Sequence, residues 1–157
     1  MGTFPTYGKK WSIIKLQDIL LEVDQETVYP FKKYDVGFDE EDDSLLTVDY
    51  LFTTPQNNYK VSLYSGEYYP EDKTFDLSFG IDTGSTHKLD TFQTTGEGNI
   101  RIILKTIASI IEEFLNEYSE EAQIVVVDGT SEKRRRVYKA LLPKYLSPNT
   151  LSKVDIK

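Results

Sequence analysis

The residues best suited to holding a small anion are Gln93, Gly96, Gly98 and Asn99, in the run Gln93-Thr94-Thr95-Gly96-Glu97-Gly98-Asn99. Gly96 and Gly98 permit positive φ or a close backbone approach, and the run opens the longest periodic apolar stretch of the chain. At the start of a helix such a turn offers backbone N–H groups and the positive end of the helix dipole to a bound anion. The same residues fit a plainer role. Thr94, followed three residues later by Glu97, has the spacing of a capping box. The Glu97 carboxylate then claims the donors that an incoming anion would need.

A second cationic group is Lys133-Arg134-Arg135-Arg136, in a chain that is otherwise acidic. Successive helical residues point about 100° apart, so these four cannot form one stripe. Their plain reading is a solvated helix face. Arg134, Arg135 and Arg136 could instead grip a phosphate or an acidic partner through the guanidinium fork. The run Asp39-Glu40-Glu41-Asp42-Asp43 lacks the alternating ligands and the glycine of a calcium loop. It reads as a solvated turn between strands or as a patch for a basic partner. Tyr64, Tyr68 and Tyr69 cluster with Pro70. Exposed there, Tyr68 and Tyr69 would mark a protein contact. His87 lies in a polar loop, and Glu67, Glu71 and Asp72 compete with it equally on spacing, so no general base is assigned.

Composition narrows the classes. The chain of 157 residues has no cysteine and one histidine, so disulfides, thiolate centres and multi-histidine metal sites are excluded. No metal and no cofactor is expected. With 26 acidic against 18 basic residues the formal net charge is −8. That opposes general nucleic-acid binding, which depends on neutralising phosphates. It favours a protein partner, in a homo- or hetero-oligomeric assembly. No apolar run approaches the roughly 18 residues of a membrane span, and Met1-Gly2-Thr3-Phe4 starts no secretory pattern. A cytoplasmic location follows as the expectation.

The elements that must position these residues belong to one α+β domain over residues 1–157. Residues 1–10 read as an irregular arm, and Ser12 caps a helix to about Val23. Gln25 to Gly37 is a connection or an edge strand. Leu45–Thr53, Tyr59–Ser65 and Thr74–Asp82 alternate apolar and polar residues and read as strands of an antiparallel meander. Ile100, Ile103, Leu104, Ile107, Ile111, Phe114, Leu115 and Tyr118 form one wide helical face, opposed by Arg101, Lys105, Ser109, Glu112, Glu113 and Asn116. Gln123–Val127 reads as a strand buried on both faces. A second helix runs from Ser131 to about Leu142 and ends at Pro143. Residues 144–157 form a tail in which Leu151–Ile156 gives a last short strand. The expected architecture is an antiparallel or mixed sheet packed by two helices from the C-terminal half.

The spacing Gln93-x-x-Gly96-x-Gly98 before a long helix resembles the pyrophosphate loop of the GCN5-related N-acetyltransferases. The order helix, three strands, long helix, strand, second helix is similar to the central part of that fold, over about residues 45–142. Ser131 stands where the family has Asn and Arg134 where it has Ala, while Val137-Tyr138 match its hydrophobic–Tyr pair. The resemblance implies acetyl-CoA as ligand, its pyrophosphate on Gln93, Gly96, Gly98 and Asn99, and Tyr138 as the acid that protonates the leaving thiolate. The chain departs from the family at Glu97 and at Leu142-Pro143, where Gly-Phe is usual. Tyr59–Tyr64, Phe75–Gly80, Thr95–Gly98, Thr106–Ala108, Ser131, Arg134 and Tyr138 also resemble patterns in small uncharacterised bacteriophage proteins. This implies a phage setting, with the protein in the host cytoplasm or associated with the virion. Together these readings favour a non-catalytic interaction or accessory protein that binds a partner through acidic and tyrosine-rich surfaces. The alternative is an acyl-CoA-dependent N-acetyltransferase.

Glu97→Lys separates cradle from cap. Calorimetry should show a gain in affinity for phosphate-bearing ligands if the run is an anion cradle, and thermal melts a loss of roughly 0.3–1 kcal/mol if it is only a cap.

Overall fold

The computed structural model describes residues 28–82, 100–129 and 131–157. Four strands come first: β1 (Phe31–Phe38), β2 (Leu45–Thr53), β3 (Asn58–Ser65) and β4 (Thr74–Ile81). They pair antiparallel in chain order. Then come α1 (Ile100–Glu117), β5 (Ile124–Val127), α2 (Glu132–Tyr145), the short α3 (Pro148–Leu151) and β6 (Val154–Ile156). β5 lies parallel to β4 and β6 parallel to β5, giving a mixed sheet of order β1-β2-β3-β4-β5-β6. The architecture is therefore α+β with a six-stranded mixed sheet and, among the described residues, three helices. None of these helices is long and apolar enough to cross a membrane.

One face of the sheet forms the core. Period-two alternation puts Val48, Tyr50 and Phe52 of β2, Tyr59, Val61 and Leu63 of β3, and Phe75 of β4 in one buried cluster with α1. Tyr29, Phe52, Tyr59 and Phe79 stack in a ladder with centroid spacings of 6.0, 5.1 and 5.5 Å. The other face is polar: Ser62 donates to Asp49 at 2.7 Å, and the Lys60 ammonium lies 3.7 Å from the same carboxylate. Phe114 of α1 meets Phe75 edge-on at 5.2 Å. The C-terminal half of α1 thus covers the start of β4.

β1 is an edge strand whose first half is tied to α1 at two points. Tyr29 donates its N–H to Thr106 Oγ1 at 2.9 Å, and the Thr106 hydroxyl donates to the Ile102 carbonyl at 2.8 Å. Lys33 donates to Glu117, and to the Tyr118 hydroxyl at 3.0 Å. The β1–β2 register slips between Lys33 and Asp35 and again between Gly37 and Phe38, which marks bulges.

Several expectations need correction. Lys105, placed on the polar face of the helix, is buried; its ammonium lies 5.6 Å from the centre of the Tyr145 ring, because the end of α2 covers that side of α1. β5 is buried on one face only: Val125 and Val127 point into the core while Ile124 is exposed and Val126 half-buried, because the helices cover only one side. α2 continues through Pro143 to Tyr145, since Leu142 and Leu146 are both buried and hold the chain helical past the proline. The stretch 144–157, read as a tail, contains the end of α2, α3 and β6. The arm 1–10 and the helix expected from Ser12 lie outside the described residues.

The Tyr50 hydroxyl is fully buried and has no hydrogen-bond partner among the described residues. Burial, reinforced by the Glu113 and Glu117 charges, raises its pKa. Tyr50→Phe removes this orphaned group and keeps the ring. Urea denaturation should find the variant at least as stable as the parent, by up to about 1 kcal/mol. A loss of that size would mean the hydroxyl is satisfied.

Candidate anion-binding cleft

β4 and β5 share register only from Thr74↔Ile124 to Leu77↔Val127. β4 runs on to Ile81 while β5 stops at Val127. Among the described residues, Ser78 and Phe79 then have no strand beside them on that flank, and a cleft of about 540 Å³ opens between β4 and the turn that leaves β5. It sits at the carboxyl ends of two parallel strands, where open α/β sheets take their ligands.

The turn is built for close contact with α2. A Cβ on Gly129 would stand 2.7 Å from the Arg135 nitrogen and 3.0 Å from the Arg134 Cβ, so only glycine fits there. Ser131 caps the helix: its hydroxyl accepts from the Arg134 N–H at 3.2 Å, and its carbonyl accepts from the Arg135 N–H at 3.0 Å. This packing brings the first turn of α2 against the strand ends, and with it the side chains of Arg134, Arg135 and Tyr138. Lys157 reaches the same cleft, its backbone N–H bonded to the Val127 carbonyl at 3.0 Å.

Arg134 is buried, and Arg135 holds its Nε 3.6 Å from Asp128 Oδ1, with both side chains about half exposed. Two carboxylates, Asp76 and Asp128, stand among the three cations. Burial raises the pKa of Asp76, the Lys157 charge opposes this, and Asp72 and Asp128 add to it. Tyr64 is raised by burial and by the Asp76 and Asp128 charges. Tyr138 is pushed up to about 12 by burial, against the pull of Arg134. At neutral pH the cleft therefore offers guanidinium and ammonium groups beside a phenol that keeps its proton. It can attract an anion and donate hydrogen bonds to it.

Of the residues singled out in the sequence, the fold brings together Arg134, Arg135 and Tyr138. Arg136 points outward and lines no part of the cleft, as the helical period requires. Gln93, Gly96, Gly98 and Asn99, and also His87, lie outside the described residues. The acidic run is the β1–β2 turn. Asp39 Oδ1 accepts from the Glu41 and Asp42 N–H groups at 2.7 and 3.2 Å, and Asp42 Oδ1 accepts from the Ser44 N–H at 3.0 Å. Those bonds from Ser44 lower the Asp42 pKa. Asp43 closes the turn at φ 61°, and Glu40 and Glu41 point to solvent. Tyr68 is 68% exposed, whereas Tyr69 is half-buried, edge-on to Phe75 at 4.9 Å. Among the described residues no group of His, Cys, Asp and Glu side chains is placed to hold a metal.

Sequence reasoning missed Asp76, Asp128, Gly129 and Lys157, and it placed Tyr64 in a tyrosine cluster for protein contact, whereas the fold puts it in the cleft. An available signal was Asp76 itself, since aspartate is disfavoured in strand interiors. Another was Asp128-Gly129 between an apolar strand and a serine-capped helix, the local order of an anion-binding strand–turn–helix.

Fold and site together define an α+β protein with a mixed sheet and a cationic cleft at a parallel strand pair. The chain belongs to a family of unknown function, DUF6934, which it matches over residues 31–155. That span runs from β1 into β6 and covers the cleft except Lys157. No curated protein and no solved structure matches the chain.

Gly129→Ala should cost about 1–3 kcal/mol in denaturant unfolding, because the added methyl must push α2 off the turn. An unchanged midpoint would show that the turn has room.

Proposed function

We propose that this protein binds a phosphate-bearing small molecule in the β4/β5 cleft and does not turn it over. The observation that carries the reading is the convergence of Arg134, Arg135 and Lys157 on one cleft, in a chain of formal net charge −8. Cations gathered against the overall charge favour a specific anion site. Coenzyme A suits it as a ligand class. The acetyltransferase-like run Gln93–Asn99 leads directly into α1 in the sequence.

Tyr138 is the residue to which the resemblance gives the role of acid, and it stands in the cleft. Its proton is held too tightly for that role. A thiolate with a pKa of roughly 8.5 does not draw a proton readily from a phenol near 12. A bound polyphosphate would tighten the hold further. Tyr138 therefore serves as a hydrogen-bond donor to the ligand. An accessory, phage-encoded protein of the host cytoplasm or the virion fits such a non-catalytic ligand binder.

A second reading, a protein-contact surface, is favoured by the exposure of Tyr68 at 68%, Tyr34 at 61% and Phe38 at 55%. It needs no ligand in the cleft. Sedimentation of the protein over a range of concentrations would reveal self-association that Tyr68→Ser and Tyr34→Ser abolish.

Calorimetric titration with acetyl-CoA and with free coenzyme A tests the main reading. Both should bind below millimolar concentration, more weakly as salt is raised, and about tenfold more weakly to Arg135→Gln. No thiol should be released from acetyl-CoA in the presence of amines. Absence of binding at millimolar ligand would remove the ligand reading, and Tyr138-dependent thiol release would make the protein an enzyme.

A further inference from the structure

We infer that Asp128 is the resident counter-ion of the cleft, displaced from Arg135 by the ligand's phosphate, so that the site selects multiply charged phosphates over carboxylates. This rests on the cleft being the anion site proposed above. Asp128 is the first residue after β5, at the mouth of the cleft, with its Oδ1 3.6 Å from Arg135 Nε. That separation exceeds a direct hydrogen bond, and it engages the guanidinium from one side rather than through its two-pronged fork. The two side chains are 57% and 48% exposed. A pair so well hydrated adds little stability and is readily exchanged.

Asp128 is also poorly placed with respect to its other neighbour. Its charge acts against that of Asp76 across the cleft, so turning outward relieves a repulsion. A carboxylate guest would bring Arg135 the same single charge that Asp128 already supplies and would gain nothing by replacing it. A diphosphate brings several charges, can use the free side of the guanidinium and can reach the Lys157 ammonium as well. Asp128 thus sets a threshold of ligand charge. Gly129 behind it holds the turn fixed against α2, so the exchange is a side-chain rotation and not a movement of the backbone.

The test is titration of inorganic pyrophosphate and, separately, acetate into the full chain at constant ionic strength, alongside Asp128→Asn and Arg135→Gln. Asp128→Asn should bind pyrophosphate about fivefold more tightly and acquire acetate binding that the parent lacks. Arg135→Gln should weaken pyrophosphate about tenfold. Asp128→Ser repeats the first arm with a smaller side chain, should the amide perturb the turn. If the parent binds pyrophosphate and both Asp128 variants bind it equally or less well, the inference is overturned and the cleft stands, with Asp128 positioning Arg135. If none of the four proteins binds pyrophosphate, the cleft reading fails and takes the inference with it.

Discussion

The structure depends on the burial of α1. Six consecutive residues of this helix, Ile103 to Ala108, are buried, so it is enclosed on every side over that stretch. A helix so apolar has to lie on a sheet and be roofed by something else. The core face of β2, β3 and β4 supplies the sheet, the end of α2 the roof, and the Tyr29–Thr106 bond the flank. Placed antiparallel to β4, the helix returns the chain to the amino end of that strand. The next strand can then only run parallel, and β5 and β6 follow from that.

The cleft is a by-product of the same arrangement. β5 is half the length of β4, so the parallel pair comes apart where β4 continues past the end of β5. Into that gap the tight Asp128-Gly129 turn delivers the first turn of α2. The arginines arrive there because the helix begins there. Arg134 faces inward and Arg135 toward the mouth, because adjacent helical positions cannot share a direction.

Much of the fold was readable in the sequence because it is written in local periods. The alternation in β2, β3 and β4 located each strand to within a residue, and the three- and four-residue steps located α1. The acidic run between β1 and β2 read correctly as a turn, since aspartate side chains bond their own backbone. Local pattern failed where a neighbour decides the outcome. Lys105 looks solvated until α2 lies across it, Ile124-Val125-Val126-Val127 looks doubly buried until one face is left uncovered, and Pro143 looks like a stop until two buried leucines flank it. The cleft was the least legible feature. Asp76, Asp128 and Lys157 are far apart in sequence, and only the parallel pairing of three strands brings them together. The basic run signalled that cations were present, but not which of them would face a ligand.

The two edges of the sheet bear on how the protein behaves when crowded. β1 carries Lys32 and Lys33 and is broken by two register slips, and β6 is three residues long. A neighbouring chain that tried to extend the sheet would meet charge and a distorted ladder at one end and almost no ladder at the other. The described sheet is thus a poor template for edge-to-edge aggregation. Assembly of copies by backbone hydrogen bonds is disfavoured at both of these described edges.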